Sequence, residues 1–236
     1  MKLIAHLKEI LASETLVYQI IKEEMIEIKE KFGDERKTKI VVAEGEIDVE
    51  DLIKEEQSVI ALTHFGYIKR MPIDTYKSQK RGGKGITGMT TKEDDFVKQI
   101  FTASTHDTIL FFSNKGKLYR LRGYEIPESG RTAKGTAIVN LLSLDAGEKI
   151  STIIPIQNFA EGKYLLFATR NGLIKKTALT EYNSARKTGL LAITLKDEDE
   201  LIDVRLTDGE DNVVLVTKQG MCITFSERDV RPIWNL

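Results

Sequence analysis

A fourfold repeat of one short pattern is the feature that most limits what this chain can fold into. Each copy has a hydrophobic run, the turn Thr/Ser-x-x-Gly and a second strand-like run, in most copies with an early basic residue. The copies read VIALTHFGYIKR, TILFFSNKGKLYR, LLFATRNGLIKK and VVLVTKQGMCIT, with glycines at Gly66, Gly116, Gly172 and Gly220. Because glycine adopts positive φ at low cost, the pattern predicts four β-hairpins spaced 50, 56 and 48 residues apart.

Further strands are predicted between the hairpins, which gives about four strands per repeat. They cover Phe96 to Ala103, Thr136 to Leu142, Ile150 to Ile156 and Leu201 to Leu206. This is the size and strand count of a propeller blade. Basic loops recur at nearly the same phase of the repeat, at 81–85, 131–135 and 186–189, so a radial array predicts that they lie on a common rim.

The segment Gln79–Gly85, which reads QKRGGKG, is the densest of these loops. Three cations and three glycines let a loop bring backbone N–H groups and positive charge against a polyanion. A nucleotide-binding P-loop is disfavoured because Lys84 is followed by Gly85 and not by Ser or Thr. A phosphate backbone is the natural partner, and a solvated hairpin tip without a partner is the alternative.

The charge distribution favours the same region. The chain carries a formal net charge of −1, but residues 58–136 hold 14 Lys/Arg against 7 Asp/Glu. The flanking parts are acidic, with 9 against 15 in residues 1–57 and 12 against 14 in residues 137–236. The middle third is therefore predicted to face a polyanion.

The N-terminal residues 1–32 are predicted to form one long helix that ends at Gly33. Apolar residues recur on a seven-residue repeat that Glu14 and Glu24 interrupt, which is typical of a coiled-coil arm or of an amphipathic helix packed on its own domain. The charge-rich residues 34–57 read as a connector, with a short strand at Ile40-Val41-Val42 and a helical turn within Val49 to Glu55.

Several classes of function are disfavoured. No run of about 18 apolar residues is present, and charged Glu9 and Glu14 stand where a secretory signal would be apolar, so a cytoplasmic protein is expected. Cys222 has the surroundings of a small strand hydrophobe, and the three histidines form no metal-ligand cluster. No nucleophile, base and orienting group occur at a recognisable spacing, so no catalytic residue is predicted.

QKRGGKG resembles the gyrase A box, the signature of the C-terminal DNA-wrapping domain in the A subunit of bacterial DNA gyrase, which is a type IIA DNA topoisomerase. The resemblance extends from the first helix to about Arg231. It implies a mainly β fold of propeller-like β-pinwheel repeats, about three to four of six blades, preceded by a long coiled-coil α-helix. The expected domains are 1–33, the end of the coiled coil of the breakage-reunion domain, 34–57, the connector, and 58–236, an incomplete pinwheel that ends as a truncated or frameshifted chain would.

The resemblance also implies a function and a set of partners. The expected function is sequence-independent binding and chiral wrapping of double-stranded DNA, which supports ATP-dependent negative supercoiling by double-strand passage. Expected partners are the B subunit of gyrase and a second copy of the A subunit in an A2B2 complex at the nucleoid, with no membrane. ATP and Mg²⁺ belong to the partner B protein, and the catalytic tyrosine precedes this segment, so no cofactor is expected here and the chain is predicted to be inactive alone.

The DNA contacts are predicted from the box and from the basic residues of the rim. The box residues are Gln79, Lys80, Arg81, Gly82, Gly83, Lys84 and Gly85, with Lys80, Arg81 and Lys84 as the principal clamp. The rim residues are Lys69, Arg70, Lys117, Arg120, Arg122, Arg131, Lys134, Arg186 and Lys187.

Two other functions compete with this one. The A subunit of topoisomerase IV, a decatenating enzyme, has a similar domain that looks like a broken pinwheel with a degenerate box, and the intact QKRGGKG disfavours it. A propeller-type protein-interaction module without a DNA role predicts neutral rims and aromatic anchors, which the basic middle third and a single Trp disfavour.

Overall fold

The computed structural model describes residues 2–35, 37–38, 49–75, 89, 91 and 93–233. The chain divides into two compact units, Met1–Ile47 and Asp48–Leu236. The first unit contains the helices α1 (Lys2–Ala12) and α2 (Glu14–Phe32). No described residue of α2 is buried, and neither of the two helices combines the length and apolar character that crossing a membrane requires.

The prediction of one uninterrupted helix over residues 1–32 is wrong, because the helix breaks at Ser13. Ser13 has an extended backbone (φ −126°, ψ 105°), and its side chain accepts a hydrogen bond from the N–H of Leu16, which makes it the N-cap of α2. A serine hydroxyl satisfies one of the N–H groups that a helix start leaves unpaired. At the other end α2 stops before Gly33, as predicted, and the Gly33 N–H donates to the Lys29 carbonyl over 2.8 Å.

The second unit is built from antiparallel strands, which confirms the mainly β, propeller-like prediction. Described strands are β1 (Gln57–Thr63), β2 (Tyr67–Pro72), β3 (Val97–Ser104), β4 (Thr108–Ser113), β5 (Lys117–Arg122), β6 (Thr136–Ala137), β7 (Ile150–Ile156), β8 (Tyr164–Thr169), β9 (Ile174–Ala178), β10 (Leu190–Leu191), β11 (Leu201–Thr207), β12 (Asn212–Val216) and β13 (Cys222–Ser226). Within the described residues they form four sheets, ordered β3-β1-β2-β6, β7-β4-β5-β10, β11-β8-β9 and β12-β13. We call these sheets blades 1 to 4.

The four repeated turns are alike in atomic detail. In each turn the Thr or Ser side chain accepts a hydrogen bond from the N–H four residues later, as from Tyr67 to Thr63 over 3.1 Å and from Leu173 to Thr169 over 3.1 Å. In each, the glycine N–H donates to the carbonyl of that Thr or Ser over 2.9–3.0 Å. The glycines have φ between 78° and 85°, which is the left-handed region that the sequence pattern predicts.

The blades pack face to face, and the strand β4 shows how one strand serves two interfaces. Successive side chains of a strand point to opposite faces, and every residue of β4 is buried. Ile109 and Phe111 join the core between blades 1 and 2, whereas Leu110 and Phe112 join the core between blades 2 and 3. The Phe112 ring meets the Phe167 ring of β8 edge to face, with centroids 5.7 Å apart.

Most of the additional strands lie where the sequence predicts them, with one exception. The segment Thr136 to Leu142 contains the two-residue strand β6 followed by a 3₁₀ helix over Ile138–Asn140, so the prediction of one long strand is wrong. The Ile138 N–H still donates to the Gly66 carbonyl at the end of the β2–β6 ladder, and the N–H groups of Leu141 and Leu142 then donate to the Ile138 carbonyl, which turns the chain away. A 3₁₀ helix over Val49–Leu52 supplies the predicted helical turn, and Ile40-Val41-Val42 lies outside the described residues.

Two buried aspartates bind the hairpin turns of blades 1 and 3. Asp95 Oδ1 accepts hydrogen bonds from the N–H groups of Phe65 and Phe96 over 3.0 Å each. Asp199 Oδ1 accepts from Asn171 over 3.0 Å and from Glu200 over 2.9 Å. Desolvation would raise both pKa values, but the hydrogen bonds outweigh it and hold the pKa of each carboxyl below its usual value.

The lowered pKa values of Asp95 and Asp199 predict that the folded state loses stability in acid. A folded-state pKa below the unfolded value of 3.8 stabilises the fold above about pH 4, and the stabilisation is lost as the pH falls through the folded-state pKa. We expect the urea midpoint to fall steeply with pH below about pH 4 in the wild type and less steeply in Asp199→Asn, which does not titrate. Asp197→Asn, an exposed neighbour, is the matched control and should keep the wild-type slope. Equal slopes for Asp199→Asn and the wild type would contradict the assignment.

Candidate nucleic-acid interface

Besides packing face to face, neighbouring blades are joined by hydrogen bonds between the strands at one edge of each sheet, and this distinguishes an inner side from an outer side. The Gln99 side chain of β3 donates to the Ile153 carbonyl of β7 over 2.7 Å and accepts from the Ile153 N–H over 3.2 Å. From β7, the Thr152 hydroxyl donates to Asp203 Oδ1 of β11 over 2.8 Å. The strands β3, β7 and β11 therefore form the inner side, and the opposite sheet edge, which carries β6 or β10, forms the outer side.

In blades 1 and 2 the outermost strand comes from the following repeat. Blade 1 is completed by β6, whose Thr136 and Ala137 pair with Ile68 and Tyr67 of β2. Blade 2 is completed by β10, whose Leu190 and Leu191 pair with Leu118 and Lys117 of β5. Each of these short strands directly follows a basic loop, so the exchange places the loops 130–135 and 186–189 on the outer edge of the preceding blade.

The cations of these two loops lie at the surface. Arg131 and Arg186 are exposed, and the Lys134 Nζ lies 5.7 Å from the centre of the Tyr67 ring. Among the described residues none of these three has a carboxylate within ion-pair distance. Lys187 is exposed as well, but its Nζ lies 2.5 Å from Glu125 Oε1, which fixes the second loop to blade 2. Unpaired surface cations on an outer edge suit contacts with phosphates.

The predicted rim cations on the strands have protein partners instead. Arg70 lies 3.5 Å from Glu56 and 3.4 Å from Glu128, with only 11% of its side chain exposed. Arg122 lies 3.1 Å from Glu50 and also donates to the His106 carbonyl over 3.1 Å. Arg120 donates to the Asn183 carbonyl over 2.9 Å, and Lys117 lies 2.6 Å from Asp145. These contacts connect neighbouring segments of the β-sheet unit.

Lys69 does not lie on the surface where the repeat predicts it. Its relative exposure is 0%, and its Nζ donates to the carbonyls of Gly130, Arg131 and Ala133. Burial lowers the pKa of Lys69, because removal from water disfavours the charged form. The expectation of a rim position is thus corrected. The residue is buried because β2 is covered by β6 and by the loop before it.

The box itself, Gln79–Gly85, lies outside the described residues. Its predicted DNA contacts stay predictions, as do those of the other basic loops.

One group of acidic side chains has the spacing of possible metal ligands. Carboxylate oxygens of Asp208, Asp211 and Glu227 lie within 4.8 Å of one another. The Glu227 carboxylate already accepts hydrogen bonds from the Thr207 hydroxyl and the Asp211 N–H, and the Lys176 Nζ lies 3.8 Å away. These contacts account for Glu227 as part of a buried ion pair, whereas Asp208 and Asp211 are exposed.

Sequence reasoning missed the exchange of strands between repeats. The sequence gives only a brief indication of this exchange. Each described basic loop ends in a glycine at positive φ, Gly135 or Gly189, and a two-residue strand follows that glycine. Two-residue strands are too short for a periodicity argument. Their partners lie about 70 residues earlier in the chain, which no local pattern specifies.

The comparison with protein families agrees with the blade geometry. The family model described as DNA gyrase C-terminal domain, beta-propeller, matches residues 57–104, 107–157, 163–208 and 211–233. The chain belongs to the DNA gyrase C-terminal domain family. The four matched segments correspond to the four repeats, each beginning at or close to the strand that opens its hairpin.

Relatives of known name extend the match beyond the gyrase C-terminal domain repeats. The A subunit of DNA gyrase from Clostridium acetobutylicum is 58% identical over 233 residues, which is 99% of this chain and 28% of that relative. The chain thus spans little more than a quarter of the length of the relatives it matches.

Solved structures of this family and of its topoisomerase IV counterpart share the fold. The C-terminal domain of DNA topoisomerase IV superposes with a TM-score of 0.66 at 33% identity, over 77% of this chain and 55% of that one. The DNA gyrase A C-terminal domain gives a TM-score of 0.60 at 31% identity, over 75% and 57%. The superpositions do not separate the two enzymes, whereas the sequence relative is a gyrase protein.

Proposed function

We propose that this chain, as part of the A subunit of DNA gyrase, binds the phosphate backbone of duplex DNA along the outer edges of its blades. The bound DNA is bent into a wrap of one handedness. The observation that carries the proposal is the strand exchange that places basic loops on the outer edges of blades 1 and 2. Family membership and 58% identity to the A subunit of a gyrase support it independently.

The recognition chemistry follows from the kind of contact. Lys and Arg on loops neutralise phosphates and release counterions, which gives affinity without reading bases. Bending 20–30 base pairs through 40–90° costs roughly 1–6 kcal/mol, so several spaced phosphate contacts have to offset it. The box would form the principal clamp through Lys80, Arg81 and Lys84. Arg131, Lys134, Arg186 and Lys187 would be later and weaker contacts.

The same proposal includes the reaction and the complex in which this chain would act. In it, the wrapped DNA supplies a segment for ATP-dependent double-strand passage and negative supercoiling by an A2B2 complex in the cytoplasm, at the nucleoid. The B subunit would supply ATP hydrolysis and Mg²⁺, and the catalytic tyrosine would lie in the part of the A subunit that precedes this segment. This chain alone would bind and bend DNA without cleaving it.

A linking-number experiment tests the wrap. The chain is bound to nicked circular DNA, the nick is ligated, the protein is removed, and the topoisomers are separated. We expect a shift of one sign that grows with the amount of protein and disappears in the variant Arg81→Ala, Lys84→Ala. That variant should also lower the slope of log affinity against log salt by about 2, one unit for each lost phosphate contact.

A matched control removes two cations from the inner strands. Lys98 donates to the Ile150 carbonyl between β3 and β7, and Arg205 lies 2.8 Å from Asp203 on β11. Lys98→Ala with Arg205→Ala should keep the wild-type salt slope, because the inner side lies away from the proposed path of the DNA. An equal decrease in both double variants would show that net charge, and not the box, determines binding.

The topoisomerase IV assignment is the second candidate, because the C-terminal domain of that enzyme shares the fold, with a TM-score of 0.66 at 33% identity. It predicts salt-sensitive binding without a linking-number shift. A linking-number shift of one sign therefore favours the gyrase assignment, whereas salt-sensitive binding without a shift leaves the two assignments unresolved.

A further inference from the structure

We propose that Lys69 is a positioning residue, whose buried ammonium group shapes the basic loop 130–134 of the next repeat so that Arg131 and Lys134 face the DNA. This inference rests on the proposed function. It also assigns Lys69 a role other than the direct DNA contact that its place in the repeat predicts.

The contacts of the Lys69 ammonium group carry the inference. An ammonium has three N–H donors and no acceptor. Nζ lies 2.6 Å from the Arg131 carbonyl, 3.0 Å from the Ala133 carbonyl and 3.3 Å from the Gly130 carbonyl. Three carbonyl dipoles therefore take the place of water around a fully buried charge, and three carbonyls of one loop converge on a single point.

The rest of the loop is tied to β2 on both sides of this point. Before it, the Ser129 N–H donates to the Arg70 carbonyl over 3.0 Å. After it, Gly135 has φ +83°, and a Cβ there would lie 2.5 Å from the Ile68 carbonyl oxygen, so the loop runs in close contact with β2. Lys69 binds the part between these anchors, which includes Arg131.

The equivalent position of the next blade supports the next basic loop. Lys69 and Tyr119 are each the third residue after the hairpin glycine of their repeat. The Tyr119 side chain is fully buried, and a Cβ on Gly189 would lie 2.7 Å from its ring. Blade 1 thus uses an ammonium group, and blade 2 an aromatic ring, to support the loop that the following repeat contributes.

The consequence of losing Lys69 should be local. Gly130, Arg131 and Ala133 are exposed, so their carbonyls can turn to water when the ammonium is removed. Methionine has a similar length and suits the buried path of the side chain beside Met71, which is itself fully buried. Lys69→Met is therefore expected to fold and to release the loop.

Two measurements on the full chain test this expectation. Trypsin cleavage after Arg131, followed by mass spectrometry under native conditions, should become at least about tenfold faster in Lys69→Met. The salt slope of duplex DNA binding should fall by about 1–2, toward that of Arg131→Ala with Lys134→Ala. Lys98→Met, which also removes a lysine that donates to a backbone carbonyl, is the matched control and should change neither quantity.

A double-mutant cycle separates positioning from a direct contact. Adding Lys69→Met to Arg131→Ala, Lys134→Ala should lower the slope no further if Lys69 acts through this loop. An additional decrease of about 1 would mean that Lys69 contacts DNA itself, and would overturn the inference. Unchanged cleavage and slope in a folded Lys69→Met chain would overturn it as well.

The remaining outcomes are also decisive. If Arg131→Ala with Lys134→Ala leaves the slope unchanged, the proposed function fails for this loop, while the cleavage rate still tests whether Lys69 shapes it. If Lys69→Met does not fold, Lys69→Gln replaces it, because its polar amide is shorter than the lysine side chain and has only two N–H donors for the three carbonyls. Faster cleavage of Lys69→Gln supports the inference, and wild-type cleavage contradicts it.

Discussion

Replacing Lys176 by Met is expected to lower the free energy of unfolding by about 3–5 kcal/mol, because it leaves a buried carboxylate without its cation. Lys176 on β9 is 4% exposed and Glu227 after β13 is 0% exposed. The Lys176 Nζ lies 3.8 Å from Glu227 Oε1 and donates to the Glu227 carbonyl over 3.1 Å. The pair connects blade 3 to blade 4. Urea unfolding followed by circular dichroism measures the change.

Two further variants make the interpretation specific. Lys175→Met changes the neighbouring residue, whose Nζ donates to the Ala192 carbonyl, and it should cost less than about 2 kcal/mol. Lys176→Met combined with Glu227→Gln should recover at least half of the loss, because the uncharged amide no longer requires a cation. A loss below about 1 kcal/mol in Lys176→Met alone would mean that water reaches Glu227.

Replacing Gly116 by Ala is expected to cost about 2–5 kcal/mol, more than the same change in the equivalent turn of blade 3. Gly116 and Gly172 have φ of +78° and +82°, so both alanines carry the left-handed strain of about 1–2 kcal/mol. A Cβ on Gly116 would lie 2.4 Å from the Ile193 carbonyl oxygen, whereas a Cβ on Gly172 meets nothing within 4 Å. The difference measures the cost of displacing the segment that follows β10.

The comparison is made by urea unfolding of Gly116→Ala, Gly172→Ala and Gly220→Ala. The Gly220 turn also has open space at the Cβ position, so it should behave like Gly172. Similar losses for Gly116→Ala and Gly172→Ala would show that the contact between Gly116 and Ile193 relaxes without cost. The Gly116 carbonyl also accepts the N–H groups of Ala192 and Ile193, so we expect the outer strand β10 to loosen in Gly116→Ala.

Local patterns predicted the parts of the site that depend on nearby residues. The Thr/Ser-x-x-Gly turns were predictable because their hydrogen bonds join residues three or four apart, as between Thr63 and Tyr67. The basic loops were recognisable by composition alone. The helix break at Ser13 was missed because serine is compatible with both a helix interior and an N-cap, and the local hydrogen bond to Leu16 decides.

The sequence by itself determined the repeated hairpins, the mainly β fold and the basic loops at a common phase, because these depend on side-chain period, glycine conformation and charge. Tertiary structure alone decided that each described outer strand comes from the next repeat, that Lys69 is buried and that Arg131 and Arg186 stay at the surface. Those outcomes depend on pairings between residues about 70 positions apart. Such pairings depend on which edge of each sheet remains available once the blades have packed together, and local propensity does not contain that information.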